Sequence, residues 1–217
     1  MKTKDKIIFA SLELFNDRGE RNVTTNHIAA ELNISPGNLY YHFRNKSDII
    51  YEIFVQYELI VDHYLQVPEG QPLTLNHLVA YLEVVFEGLW TYRFFHRDLG
   101  FLLGSDKRLR DDYSAFTFRC LNAIKKILQG LQKGKDDILL ELDDERLESI
   151  SLNVWLIVTN WMAYLKTTYA GEAINKGMLQ QGIYQVLFFT EPYLAKSYLK
   201  EIRVLQGKYR PQALVGA

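Results

Sequence analysis

The sequence predicts an all-α protein. Three observations carry that prediction: apolar residues recur at spacings of three and four along nearly the whole chain, no alternating run of strand length with a hairpin turn appears, and turn-forming stretches separate the apolar patterns. Residues 1–46 are expected to form a three-helix helix-turn-helix domain and residues 47–217 a helical bundle, about nine or ten helices in all.

The elements follow in order. Ile7, Ile8, Ser11, Leu14 and Phe15 share one face of a helix over 3–18, which stops at Asp17-Arg18-Gly19. A short helix opens at Thr24-Thr25, turns Ile28, Ala29 and Leu32 inward, and ends at Asn33. Ser35 then caps a third helix with its hydroxyl, while Pro36 takes the first helical position, where its fixed φ helps and its missing N–H costs nothing. That helix runs to about Phe43. Asn45 caps a longer one striped by Ile49, Ile50, Ile53, Phe54 and Tyr57, with Asp48 near the positive end of its dipole. Val67-Pro68-Glu69-Gly70-Gln71-Pro72 is the best linker in the chain. Further helical patterns cover 73–95, 96–104, 106–133, 144–170 and 175–206, the last kinked or split by Pro192.

Composition narrows the function. Of 217 residues, 48 % are apolar and 24 % charged, a globular balance that excludes a disordered or fibrous chain. A net charge of -1 excludes a uniformly basic coat, so any contact with nucleic acid must come from a local patch. Cys120 is the only cysteine, which excludes an internal disulfide; among apolar neighbours it reads as a packing residue. No apolar run is long enough to span a bilayer, and the opening Met-Lys-Thr-Lys-Asp-Lys-Ile has no signal-peptide core, so a cytoplasmic protein without membrane contact is expected.

Catalytic readings fail on their own terms. His96-Arg97-Asp98-Leu99 lacks the asparagine a kinase catalytic loop needs, having Leu103 there, and the Gly130-to-Asp136 stretch lacks a spacer and the Ser/Thr of a phosphate loop. The histidines show no paired ligand spacing and no Cys-x-x-Cys exists. No enzyme activity, cofactor or metal is expected.

Residues 24–43 have the layout of a helix-turn-helix: two short helices meet at a tight turn around Asn33-Ile34-Ser35, with Ala29 small where they approach. Packing Ile28, Leu32, Ile34, Leu39 and Phe43 inward leaves Pro36, Gly37, Asn38, Tyr40, Tyr41 and His42 outward. Such a face suits a helix laid in a major groove, since tyrosine and histidine reach phosphates, asparagine reads a base edge and Gly37 admits close backbone approach. Between residues 21 and 46 the cations Arg21, Arg44 and Lys46, with His27 and His42, face the single carboxylate Glu31. Asp136 to Glu148, whose carboxylates are opposed only by Arg146, is expected to be a solvated face that avoids DNA. Lys46, in the first turn of its helix, opposes the dipole at a cost of about 0.3–1 kcal/mol, which a bound phosphate would offset.

The run Val23-Thr24-Thr25-Asn26-His27-Ile28-Ala29-Ala30-Glu31-Leu32-Asn33-Ile34-Ser35-Pro36-Gly37-Asn38-Leu39-Tyr40-Tyr41-His42-Phe43-Arg44-Asn45-Lys46-Ser47-Asp48 resembles the DNA-binding domain of the TetR family of bacterial transcriptional regulators. The resemblance covers residues 3 to about 57. It implies contacts to double-stranded DNA from Thr25 and Asn26, from the segment Ser35, Pro36, Gly37, Asn38, Tyr40, Tyr41 and His42, and a phosphate anchor at Lys46. Asn26 stands where members often have arginine, and asparagine favours adenine over guanine. It further implies a homodimer on a palindromic operator and a small-molecule effector inside the C-terminal domain.

The remaining pattern is compatible. Leu147, Ile150, Val154, Val158, Trp161 and Leu165 form one apolar stripe, while Leu152, Leu156 and Ala163 lie elsewhere around the same helix, so that helix needs a second partner. With Val186, Leu187 and Leu194 of the last pattern, Val154, Val158, Trp161 and Leu165 are the expected dimer contacts. An apolar or amphipathic effector is expected among Trp90, Arg93, Phe94, His96, Arg97, Phe101, Phe116, Trp155 and Asn160. The expected function is a repressor-type regulator. An architectural DNA binder and a hydrophobic-ligand carrier are the competing readings.

Overall fold

Local capping starts the helices where the sequence places them. In the computed structural model, which describes residues 2–67, 72–132 and 137–211, α1 (Thr3–Arg18) buries Ile7, Ile8, Leu14 and Phe15, and Ser11 donates to the Ile7 carbonyl. Gly19, at φ +83°, turns the chain in a conformation that L side chains rarely adopt. Thr24 and His27 then cap α2 (Thr25–Glu31) reciprocally, each side chain accepting from the other's backbone N–H. Ser35 accepts from Asn38 N at the start of α3 (Pro36–His42), and Asn45 accepts from Asp48 N at the start of α4 (Lys46–Tyr64).

The later patterns break more often than expected. Residues 73–104 give α5 (Leu75–Thr91), α6 (Arg93–Arg97) and α7 (Leu99–Ser105); the helical path is left at Tyr92 and at Asp98. Then come α8 (Lys107–Gln132), α9 (Asp144–Thr168) and α10 (Lys176–Thr190). Pro192 does split the last pattern: two 3-10 turns lead into α11 (Leu199–Gly207). Among the described residues there are eleven α-helices and no strand, only an isolated antiparallel bridge between Leu139 and Leu194.

That bridge corrects one expectation. The stretch expected to be wholly solvated buries Ile138, Leu139 and Leu142, because Leu140 N donates to the Tyr193 carbonyl and Ala195 N to the Ile138 carbonyl. Its carboxylates from Asp137 on remain exposed, and Asp136 lies outside the described residues.

The chain forms two compact units, each assembled from separate stretches of the sequence. One unit takes the residues up to Ile60 together with Thr91–Ala115; the other takes Val61–Trp90 and the residues from Phe116 on. In the first, the stretch 91–97 is stitched to the end of α1. Asn16 donates to the Thr91 carbonyl and accepts from Phe94 N, and Arg97 donates to the Phe15 and Asn16 carbonyls. Beneath it, Phe54 stacks on Phe95 at 5.6 Å, and buried His96 lies edge-on to Tyr57 with Nε2 3.1 Å from its hydroxyl. His96 Nδ1 has no hydrogen-bond partner among the described residues, and burial holds the imidazole down at about 4.

In the second unit, α9 and α10 pack on each other and on α5 around Phe86, Val158, Leu165, Ile183 and Leu187. Of the seven expected dimer contacts, six, Val154, Val158, Leu165, Val186, Leu187 and Leu194, are buried in this core. Trp161 is half-buried and donates from Nε1 to the Met178 carbonyl. The helices meet closely at Gly182, where an added Cβ would lie 2.4 Å from Phe86 Cε1 and 2.9 Å from Trp161 Cδ1.

Two outcomes follow from these cores. Gly182→Val is expected to lower stability by about 1–3 kcal/mol through overpacking, read by urea unfolding, whereas Gly104→Ala, with nothing within 4 Å, is neutral or mildly stabilising. His96 is held near 4 when folded against an ordinary 6.5, so between those values the unfolded chain binds the extra proton. Its contribution is complete above pH 6.5 and is lost as pH falls toward 4, by roughly 3 kcal/mol in total. Unfolding at pH 7 and pH 5 should show a smaller pH penalty in His96→Gln than in the parent.

Candidate nucleic-acid interface

The inner side of α3 is settled by Leu39 and by Phe43 just beyond it, both buried, as are Ile28 and Ala29 of α2. With those positions inward, helical spacing sends the others out. Ser35, Pro36, Gly37 and Asn38 are exposed, Tyr40 is 49 % and Tyr41 85 % accessible, and His42 is half-buried with its ring edge-on to Tyr41 at 5.1 Å. A tyrosine that exposed contributes little to folding, so its ring and hydroxyl are free to meet another surface.

Two features order this face. The Tyr40 hydroxyl lies 3.0 Å from Thr25 Oγ1, which ties the first turn of α2 to the middle of α3 and fixes both groups side by side; Asn26 next to them is exposed. At Gly37 an added Cβ would meet nothing nearer than Ser35 Oγ at 3.9 Å. No packing inside the protein requires glycine there. What its absent side chain provides is open backbone on the outside, where a partner can come close.

Lys46 is elsewhere. Its ammonium donates to the Glu20 and Val23 carbonyls, each at 3.0 Å, and pairs with Glu20 Oε1 at 2.6 Å. Compensation for the helix dipole is supplied within the chain itself. The cause is Glu20, a buried carboxylate one residue outside the stretch counted for charge. Of the cations in that stretch, Arg21 lies over the Phe101 ring at 3.9 Å and Arg44 is exposed.

The residues expected around an effector are dispersed by use. Arg93 pairs with Asp17, Arg97 holds the carbonyls at the end of α1, Phe94 is buried against Phe15 at 5.2 Å, and His96 is locked to Tyr57. These four, and exposed Phe101 beneath Arg21, belong to the first unit. In the second unit Trp90 is half-buried, Phe116 is buried edge-on to Trp155 at 6.2 Å, and Asn160 is exposed on α9, bonded to the Leu156 carbonyl.

Two concavities of the second unit were not anticipated. Asp62, Gln66 and Val67 at the end of α4 face Arg119, Asn122 and Lys126 of α8 across a polar groove of about 710 Å³ with Cys120 in its lining. Its signal in the sequence is a polar row, Arg119-Asn122-Lys126, at helical spacing. The other, about 620 Å³, is an apolar groove on α9 and α10 lined by Leu156, Trp161, Tyr164, Phe188, Phe189 and Tyr193.

Comparison with known proteins agrees with the geometry of the head. The model for bacterial regulatory proteins of the tetR family matches residues 7–53, and the TetR model, described as a bacterial transcriptional repressor, matches residues 56–202. A TetR-family transcriptional regulator from Marinobacter aquaeolei VT8 has a solved structure that superposes with a TM-score of 0.90 at 59 % identity, covering 97 % of this chain and 100 % of that one. The HTH-type transcriptional regulator SAR2658 of Staphylococcus aureus strain MRSA252 is 28 % identical over 146 residues, 66 % of this chain and 75 % of that relative. The regulator SAUSA300_2515 of strain USA300 is 36 % identical over 58 residues, 26 % of this chain and 31 % of its own length. With both family models matched in sequence order and the recognition face exposed, the chain belongs to the tetR family of bacterial regulatory proteins and is a DNA-binding transcriptional regulator rather than an enzyme.

Proposed function

We propose that the protein acts in the cytoplasm as a homodimeric repressor. In this reading each protomer lays α3 in one major groove of a palindromic operator, and a small effector bound in the C-terminal unit releases the DNA. The observation that carries the reading is the exposed face Asn38-Tyr40-Tyr41, beside Thr25 and Asn26 and opened at Gly37. Asparagine supplies paired donor and acceptor for an adenine edge, and the tyrosine hydroxyls supply donors for phosphate.

Pairing is supported by the outer side of α9 and α10. Leu152, Leu156 and Tyr164 are exposed, and Phe188 is 56 % accessible, at the rim of the apolar groove. A second copy related by a twofold axis meets this surface with itself, so one apolar patch serves both protomers. The polar groove between α4 and α8 is the place proposed for the effector, whose anionic or hydrogen-bonding end would meet Asn122 and Lys126.

DNase footprinting on genomic fragments tests the reading. A discrete protected palindrome is expected; uniform, strongly salt-sensitive binding would indicate an architectural binder, and no binding a carrier. Asn38→Ala and Tyr41→Ala are each expected to weaken operator binding by about 1–3 kcal/mol in fluorescence anisotropy, with the thermal midpoint unchanged. Phe188→Glu places a charge in the proposed interface, so sedimentation should shift toward the monomer and operator affinity should fall with it.

A further inference from the structure

Arg44 stands between two fixed points. Phe43, buried, closes α3, and Asn45 caps α4 by accepting from Asp48 N. The root of the Arg44 side chain is therefore held at the end of α3. The residue itself is exposed, and its guanidinium has no hydrogen-bond or ion-pair partner among the described residues.

The neighbours of that guanidinium are already matched. Arg44 lines a cleft of about 340 Å³ that also takes in Lys4, His42, Asp48, Glu52 and Arg108. Lys4 pairs with Glu52 at 3.0 Å, and Arg108 pairs with Asp48 at 3.1 Å and with Asp106 at 3.4 Å. Each carboxylate of the lining thus has a cation other than Arg44. One guanidinium remains unmatched, beside His42 of the last turn of α3.

The end of the helix gives this cation a task. The last carbonyls of a helix lack intrahelical partners and carry roughly half a negative charge, so a phosphate approaching that end of α3 is repelled unless a cation stands there. An α-helix with its side chains is about 10–12 Å across and fills a major groove about 12 Å wide. A residue that leaves the helix after its last turn therefore faces a phosphate wall rather than a base edge.

We propose that Arg44 is a further DNA-binding residue: its guanidinium contacts a backbone phosphate where the last turn of α3 meets the groove wall, and offsets the negative end of that helix. The proposal rests on the reading that α3 occupies the major groove. A guanidinium offers a bidentate fork to phosphate oxygens, and because this one gives up no partner within the protein, little besides its own ordering opposes the contact. A phosphate contact positions the protein without reading sequence, so the gain is the same on any duplex.

The test compares the parent with Arg44→Met and Arg44→Lys, and with Arg146→Met as a control that removes one exposed cation from α9. Affinity for the footprinted duplex and for a random-sequence duplex is measured by fluorescence anisotropy over a range of salt concentrations. Each phosphate neutralised adds about 0.9 to the slope of log affinity against log salt. Arg44→Met is expected to flatten that slope by about 0.9 for each head bound, on both duplexes, and to lower affinity in 0.1 M salt roughly eightfold per head. Its preference for the footprinted duplex and its thermal midpoint should be unchanged. Arg44→Lys and Arg146→Met should keep the slope of the parent.

An unchanged slope in Arg44→Met overturns the proposal, as does an equal flattening in Arg146→Met, which would mark a general effect of net charge. A flattened slope in Arg44→Lys, where the charge is kept, overturns it too. So does a loss confined to the footprinted duplex, because it would make Arg44 a reader of bases. If Arg44→Met does not fold, Arg44→Gln takes its place in the same comparison. The random-sequence slope decides the role of Arg44 even if footprinting finds no discrete site, so failure of the operator reading and failure of this one are distinguishable.

Discussion

A helix of seven residues cannot hold itself together in water, and the two of the helix-turn-helix, α2 and α3, are each of that length. Isolated helices below ~12–15 residues are marginal even in favourable sequences. These exist because Ile28, Ala29, Leu39 and Phe43 are buried and because Thr24 and Ser35 satisfy the first free N–H groups. The consequence is a division of labour along each helix. Residues on the inside carry the folding free energy, so those on the outside, Asn38 and Tyr41 above all, are free to be chosen for what they touch.

The head was legible in the sequence because its signals are local. Caps lie within three residues of what they cap, and apolar spacing identifies the inner face of a helix that has only one. The pairing of Lys46 with Glu20 was not legible, because Glu20 is far away in sequence and sits before the motif, in a turn that gives no periodic signal. The partners of Arg93, His96 and Arg97 were hidden for a related reason: polar groups among aromatic rings look alike in sequence whether they face a ligand or fasten the end of α1, and the bonds to Phe15, Asn16 and Tyr57 are visible only in the fold.

Periodicity fails differently in α9. Its apolar residues occupy more than one side, and a period of 3.6 says nothing about which side the chain itself will cover. The structure turns Val154, Val158 and Leu165 inward and leaves Leu152, Leu156 and Tyr164 out. Which of its apolar sides the chain itself covers was therefore legible only in the fold. The bridge at Leu139 and Leu194 was beyond reach for the same reason, since the pairing joins two connectors separated by α9 and α10.

Neither unit is continuous along the chain, and this bears on how the molecule is made. A ribosome that has released residues up to Ile60 has supplied α1 through most of α4, yet not Thr91, Phe94 or Arg97, whose bonds to Phe15 and Asn16 seat the end of α1. The DNA-reading module therefore cannot be completed in the order of its synthesis. A contiguous fragment cut after the first four helices lacks these bonds, and a nascent chain can form them only once Arg97 has emerged.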